Sequence, residues 1–366
     1  MTRTAAPAPA PLSGRQFWLG LITVSLLIAV LAVSTSAAAR LSPLLIVLPA
    51  LAAGLGTVRQ TVTAAVWATA GIWLSFLYEP PAHRGDLVAE TLAALAFQAL
   101  AIAACSWRTS RQQELDRLRS TLVTLQRQIL RPLPVLTPEV MLDGVYSPVE
   151  EDRMVGGDIY EIVDSPYGTR VLIGDVQGKG LAAIGAGFAV LGAFREAAFR
   201  EPTLTAVVDA LEDAVVRHNA FAEQTGEPAR FVTALALSVD AQPDVQVINC
   251  GHLPPYLLDG ASTGPVSLAE TEVPLGLGSL SDGPRTVGWF DLPPQTTLLL
   301  YTDGVTEARD PAGRFYPLDQ RLPALADLPA AELLATLRRD IERFTEGTRR
   351  DDIAALTLRR SPARSQ

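Results

Sequence analysis

The sequence predicts an α+β domain in the C-terminal part of the chain, preceded by a bundle of four apolar helices and a linker helix. Three observations predict this order: long runs with few charges up to residue 107, a charged stretch at 108–131, and strand-like and helix-like segments that alternate thereafter. The chain has 366 residues, 48% of them hydrophobic and 19% charged. This balance is typical of a protein whose apolar helices face lipid or a large core.

Each of the four apolar runs is about as long as a helix that crosses a bilayer, roughly 20 residues. The runs are 17–39, 41–58, 60–78 and 87–107, after an N-terminus, 1–16, that we expect to be disordered. Arginines are more frequent before the first run and after the fourth, which the positive-inside rule assigns to the cytoplasm. We therefore predict a multi-pass plasma-membrane protein, in contact with membrane lipid, whose termini and C-terminal domain are cytoplasmic. A helical core of a soluble domain is the alternative.

Residues 108–131 predict a charged linker helix that leaves the membrane. Leu115, Leu118, Leu122, Leu125 and Ile129 alternate spacings of three and four residues. This spacing is typical of a coiled coil, which would pair two chains into a homodimer. An amphipathic helix packed on the following domain explains the same pattern, and both interpretations stay open.

The segment 132–360 is predicted to be one mixed domain, followed by a short disordered tail, 361–366. Its first strands, 153–163 and 169–176, flank an Asp-Ser-Pro-Tyr-Gly sequence with strong turn chemistry. Later strands are predicted at 231–239, 245–250, 296–301 and 353–358, and helices at 181–199, 204–221 and 331–344.

Acidic residues lie at the ends of these strands. A hairpin centred between Pro166 and Tyr167 places Asp158 directly opposite Asp175. Two carboxylates this close repel each other unless a cation lies between them, and carboxylate oxygens suit Mg²⁺ or Mn²⁺.

Three more acids occupy comparable places. Asp303 follows a strongly apolar strand, and Asp351 and Asp352 precede the last strand. For any one of these acids alone, a solvated turn residue is the simpler interpretation. Lys179, the only lysine in the chain, lies in a Gly-Lys-Gly turn just after Asp175. His252 is either a general base or a strand-end histidine that hydrogen-bonds a turn.

Composition argues against several other classes of protein. The formal net charge of −9 is unfavourable for a nucleic-acid binder, which needs clustered basic charge. Two cysteines and three histidines make a zinc site improbable. The Gly-rich segment 174–180 departs from the P-loop in spacing and has no Ser or Thr after Lys179.

The ordered motifs resemble those of the bacterial PPM-type serine/threonine phosphatases of the sporulation protein E class, relatives of protein phosphatase 2C. The motifs are VGGDIY (155–160), GDVQGKG (174–180), FVTA (231–234), NCGHLPP (249–255), PLGL (274–277), YTDGVTEA (301–308) and DDI (351–353). The resemblance implies an α-β-β-α sandwich with two Mn²⁺ or Mg²⁺ ions at one end of the strands.

Carried over by position, the resemblance implies a metal ligand set. Asp175 would bridge the ions, with the Val176 carbonyl as an extra ligand. Asp158 would hold one ion directly or through water, and Asp303 and Asp351 the other, with Asp352 in reserve. Substrate contacts would come from Gly178, Lys179, Thr233 and His252. Departures from the family pattern, at Glu161, Gln177, Cys250 and Ala354, remove none of these ligands.

The function implied by this resemblance is a membrane-anchored phosphoserine/phosphothreonine protein phosphatase that uses water activated by two metal ions. Its implied partner is a phosphorylated regulatory protein of the anti-sigma-factor antagonist type. The first alternative is a membrane receptor or scaffold whose inactive phosphatase-like domain binds partners. A four-helix channel or transporter is a further alternative, disfavoured because the spans have so few charged residues.

Overall fold

The computed structural model describes residues 13–34, 42–78, 84–147, 157–178, 181–259, 262–268, 270–281, 283–347 and 352–361. The backbone of the linker helix is described, but its side chains at 115–116 and 118–129 are not. The predicted leucine seam therefore lies outside the described side chains. The chain forms two compact units, Met1–Leu118 and Arg119–Gln366.

Helices make up the described part of the first unit. They are α1 (Gly14–Ser34), α2 (Val47–Leu55), α3 (Val58–Tyr78) and the start of α4 (Arg84–Ile129), with a short 3₁₀ segment at Ser42–Ile46. α1 begins at Gly14, inside the N-terminal segment for which we expected disorder. α4 is 46 residues long; it contains the fourth predicted span and continues without a break through the predicted linker as far as Ile129.

Among the described residues, three helices are long and apolar enough to cross a membrane. Two of them, Gly14–Leu31 and Leu87–Glu114, overlap the first and fourth predicted spans. The third, Ala182–Arg200, belongs to the second unit. The second predicted span is divided between the 3₁₀ segment and the nine-residue α2, and α3 is not among the three candidates. The four-span topology therefore stays a prediction.

Two antiparallel sheets form the centre of the second unit. The first sheet has the order β1-β2-β11-β10-β7-β8, and the second the order β3-β4-β5-β6-β9. The strands are β1 (Val135–Leu136), β2 (Val140–Ser147), β3 (Asp158–Ser165), β4 (Gly168–Val176), β5 (Val232–Val239), β6 (Asp244–Cys250), β7 (Tyr256–Asp259), β8 (Ser262–Pro265), β9 (Gly288–Asp291), β10 (Thr297–Tyr301) and β11 (Ile353–Arg360).

Helices cover the outer face of each sheet. The second sheet carries α5 (Leu181–Arg200) and α6 (Leu204–Thr225), and the first carries α9 (Ala330–Phe344), with the short α7 (Asp303–Thr306) and α8 (Leu318–Arg321) nearby in sequence. One apolar core joins the two sheets with α5 and α6, and another lies between the first sheet and α9. The predicted α-β-β-α sandwich is confirmed.

Candidate metal centre

Asp158 and Asp175 face each other at the open end of the β3–β4 hairpin. The ladder runs from the Ser165–Gly168 pair at the turn to the Asp158–Asp175 pair. Gly168 closes the turn with a φ of +96°, a conformation readily open to glycine. This ladder confirms the predicted register. The register could be predicted because the length of a turn determines every residue pair along its hairpin.

Asp158 is enclosed, with 3% of its surface exposed. Its Oδ2 accepts a hydrogen bond of 2.7 Å from the hydroxyl of Thr302. Burial, and next the negative charge of Asp175, raise the pKa of Asp158 well above its ordinary value; Asp352 and Asp303 add to this, while the Thr302 bond opposes it. These four carboxylates, at 158, 175, 303 and 352, are called the acid cluster below.

Thr302 and Gly304 join the strand ends of the first sheet to the acid cluster. The Thr302 amide donates to the Ala354 carbonyl at 3.0 Å, and the Thr302 hydroxyl accepts from the Ala354 amide at 3.0 Å. At Gly304, a Cβ atom would overlap the carbonyl oxygen of Asp352. Glycine therefore allows the first turn of α7, which begins at Asp303, to pack against the chain that carries Asp352.

Asp352 is 4% exposed, and its Oδ2 accepts a 3.0 Å hydrogen bond from the hydroxyl of Tyr146. Burial and the charges of Asp352 and Asp158 raise the pKa of Tyr146 far above its ordinary value, so this hydroxyl stays a donor. Asp351, the neighbouring predicted ligand, lies outside the described residues. The choice between the two acids therefore remains open.

The acid cluster has the donor chemistry that a hard divalent cation prefers, because its donors are carboxylate oxygens whose negative charges oppose one another. Gly157 leaves room on this side: a Cβ there would lie 2.7 Å from Asp175 Oδ1 and would overlap the Val176 carbonyl oxygen. Within the part of the chain that the structure describes, no three His, Cys, Asp or Glu side chains are gathered closely enough to hold an ion as they stand. The site is thus a candidate, with its predicted ligand Asp351 outside that part.

Thr233 and His252 lie beside the strand of Asp175. Thr233 pairs with Asp175 across β4 and β5, and its Oγ1 is 3.3 Å from Nδ1 of His252. His252 is 7% exposed, its Nε2 is 3.2 Å from the Tyr301 carbonyl oxygen, and burial lowers its pKa to about 4. A neutral ring that donates from Nε2 satisfies this contact. The contacts are those of the strand-end histidine that was one of our two interpretations; a substrate contact from either residue stays a prediction.

The loop after β4 is held by an arginine. Gly178 has a φ of +89°, and a Cβ there would overlap the guanidinium of Arg230, which donates a hydrogen bond to the Gln177 carbonyl. Lys179 lies outside the described residues. Its predicted substrate contact, like that of Gly178, is untested.

A family model described as "Stage II sporulation protein E (SpoIIE)" matches residues 165–361, more than half of the chain. The chain belongs to the SpoIIE family. At the family level its second unit is a PP2C-like phosphatase domain.

Individual relatives of this SpoIIE-family chain are distant. Protein IcfG of Synechocystis is 24% identical over an alignment of 266 residues; the match covers 63% of this chain and 40% of IcfG. The RsbU and RsbW domains of Rv1364c from Mycobacterium tuberculosis are 26% identical, with a TM-score of 0.47 and coverage of 63% of this chain and 62% of that one. The SiaA-PP2C domain of Pseudomonas aeruginosa is 18% identical, covers 68% of this chain and 98% of its own, and has a TM-score of 0.54, which supports the fold.

Sequence reasoning missed three residues in or near the acid cluster of this SpoIIE-family chain. Thr302 directly precedes Asp303. Its place between an apolar strand and an acid could have indicated a hydroxyl that hydrogen-bonds a carboxylate. Tyr146 is 206 residues from Asp352 in the sequence, so no local pattern indicates their contact. Arg230 likewise lies 53 residues from Gln177.

Proposed function

We propose that this SpoIIE-family chain is a metal-dependent phosphoserine/phosphothreonine protein phosphatase. The observation that supports it most is the Asp158–Asp175 pair, with Asp158 buried and two further acids adding negative charge. Buried like charges destabilise a fold unless a cation compensates them. An acid cluster at converging strand ends is therefore best explained as a cation site.

The chain's own residues would divide the work as follows. Asp158, Asp175, Asp303 and either Asp351 or Asp352, with the Val176 carbonyl, would hold two Mn²⁺ or Mg²⁺ ions. When bound, such ions lower the pKa of water and offset the negative charge of a phosphoryl group. Thr302 keeps Asp158 oriented through its 2.7 Å bond.

We further propose that the apolar helices of the first unit hold the enzyme at the plasma membrane, with both termini in the cytoplasm. The substrate that follows from the family resemblance is a phosphorylated regulatory protein of the anti-sigma-factor antagonist type. Pairing of two chains through the linker helix belongs to the same proposal. The match covers only 40% of the length of IcfG. These assignments are therefore made for this chain and are not taken from IcfG as a whole.

The test uses the full chain in detergent micelles with a phosphoserine peptide. We expect hydrolysis with Mn²⁺, loss of hydrolysis in EDTA, and a loss of at least about 100-fold in Asp175→Asn. Changing a residue that only hydrogen-bonds a metal ligand already costs about 10–100-fold, and Asp175 would itself be a ligand. Asp164→Asn is the matched control, since Asp164 is an exposed acid near the turn end of β3.

Two results would count against the proposal. If Asp175→Asn keeps near-wild-type, metal-dependent turnover, the acid cluster has no part in the hydrolysis. A folded wild-type chain that binds no Mn²⁺ and hydrolyses no phosphopeptide would favour the receptor alternative.

A further inference from the structure

A tyrosine from the neighbouring strand contacts the acid cluster. Tyr146 of β2 is paired with Ala354 of β11, two residues beyond Asp352. From this position its hydroxyl donates to Asp352 Oδ2 at 3.0 Å. The donor therefore comes from a rigid strand of the first sheet, where its position is set by the ladder.

A second tyrosine connects this contact to the end of the linker helix. The rings of Tyr146 and Tyr160 lie 6.5 Å apart at an interplanar angle of 54°. The Tyr160 hydroxyl donates to the Arg131 carbonyl at 3.0 Å, and the Arg131 guanidinium donates to the Ile162 carbonyl at 2.8 Å. These two bonds, running in opposite directions, fix Arg131, the second residue beyond α4, to β3, the strand that begins with Asp158.

We propose that Tyr146 is a positioning residue for metal binding: it fixes the Asp352 carboxylate, and its packing on Tyr160 links that carboxylate to Arg131 at the end of the linker helix. This inference rests on the proposed function, since it concerns the same acid cluster. Neighbours that orient carboxylates near a bound metal are typically worth 10–100-fold in metal affinity. An aromatic pair that serves only the core would not change that affinity.

The test measures Mn²⁺ affinity of the full chain in detergent, from the electron paramagnetic resonance signal of free Mn²⁺. Tyr146→Phe keeps the ring and removes the hydroxyl, and we expect about 10-fold weaker binding. Tyr160→Phe keeps the ring contact and releases Arg131, so a smaller loss is expected. Thermal unfolding of each metal-free variant verifies that it is folded.

Tyr316→Phe is the matched control. Tyr316 is buried, whereas Tyr146 is half-buried. The Tyr316 hydroxyl also donates to an aspartate, Asp340 Oδ2, at 2.6 Å, but on the α9 side of the first sheet. We expect this variant to have a lower Tm and unchanged Mn²⁺ affinity.

The outcomes separate the inference from the proposed function. If the wild-type chain binds Mn²⁺ and hydrolyses the phosphopeptide, but Tyr146→Phe binds Mn²⁺ within twofold of wild type, the positioning role is wrong and the proposed function stands. Equal losses in Tyr146→Phe and Tyr316→Phe would also overturn it, because the effect would then be one of general stability. If the wild-type chain binds no Mn²⁺, both proposals fail.

Discussion

Helices of similar composition have opposite surroundings in the two units. The apolar stretches Gly14–Leu31 and Leu87–Glu114 have mean hydropathies of 1.7 and 1.9, and 11% of each is buried within the protein. Ala182–Arg200 of α5 has a mean hydropathy of 1.4, and 50% of it is buried. Hydropathy alone thus does not separate a helix that needs lipid from one that is covered by its own domain.

The difference lies in the partners that each helix has. α5 packs on β3, β4 and α6, and side chains such as Phe194 are fully buried there. α1 exposes Leu19, Leu26 and Leu27 by more than 60% each. An apolar surface of this extent is unfavourable in water, so we expect α1 to be covered by a bilayer.

We expect the largest effect on folding when an aspartate is placed in α5, and a smaller one when it is placed in α1. Leu191 of α5 is 1% exposed, and Leu191→Asp would bury an unpaired carboxylate in the core. Such changes belong to the class that destabilises by more than about 4 kcal/mol, so we expect the second unit to unfold. Circular dichroism and limited proteolysis of the full chain in detergent would measure this.

Leu26→Asp is the paired variant in α1, where Leu26 is 63% exposed. A charge at the centre of a membrane helix costs about 3 kcal/mol of insertion free energy. We expect less protein in carbonate-washed membranes, and a second unit that is as protease-resistant as in the wild type. Unfolding of the second unit by Leu26→Asp would mean that the two units are not independent.

Membrane topology tests the same contrast. Epitope tags at residue 5 and at the C-terminus should both be protected from protease added outside intact cells, whereas a tag near residue 83 should be cut. These positions follow from the arginine distribution. Cleavage of the C-terminal tag in intact cells would exclude a cytoplasmic phosphatase domain.

Much of the second unit could be predicted because its signals are local. The turn at 164–168 determines the β3–β4 register, and Asp158 faces Asp175 as a consequence. β2 was missed because Asp143 and Gly144 in its middle are typical of a turn. Gly144 is there for packing: a Cβ would overlap the side chain of Leu133, four residues beyond the end of α4.

The contacts that complete the site could not be predicted in this way. Thr302, Tyr146 and Arg230 contact residues that are distant in sequence. They come close only when the two sheets pack, when β2 pairs with β11, or when a loop folds back. In the first unit, the division of the second apolar run at Ser42–Ile46 was also missed. A uniform apolar run does not indicate where its helix begins.

A smaller effect is expected from substitutions at two buried threonines, one in each unit. Thr302 and Thr61 are both fully buried. The Thr302 hydroxyl bonds Asp158 and Ala354, whereas that of Thr61 donates within its own helix to the Thr57 carbonyl at 3.1 Å. We expect Thr302→Val to cost about 1–3 kcal/mol of unfolding free energy, because it leaves buried polar groups unpaired.

Mn²⁺ affinity and chemical denaturation would measure both threonine variants. Thr302→Val should bind Mn²⁺ about 10-fold more weakly, and Thr302→Ser should restore binding because the hydroxyl returns. Thr61→Val should leave affinity unchanged. Equal effects at the two positions would show that the Thr302 hydroxyl has no special relation to Asp158.

The smallest effects are expected at the two cysteines, one in each unit. Cys105 and Cys250 are both buried, and burial raises the pKa of the Cys250 thiol to about 12 although Arg285 lowers it. Because the thiolate is the reactive form, Cys250 should not be alkylated in the native protein at pH 8.

In Cys105→Ala, alkylation of Cys250 should begin only at the urea concentration that unfolds the second unit. In Cys250→Ala, Cys105 should stay protected at that concentration, because micelles hold the apolar helices together. If both thiols become reactive at the same urea midpoint, the two units unfold together. The difference in burial between α1 and α5 would then not reflect two units of independent stability.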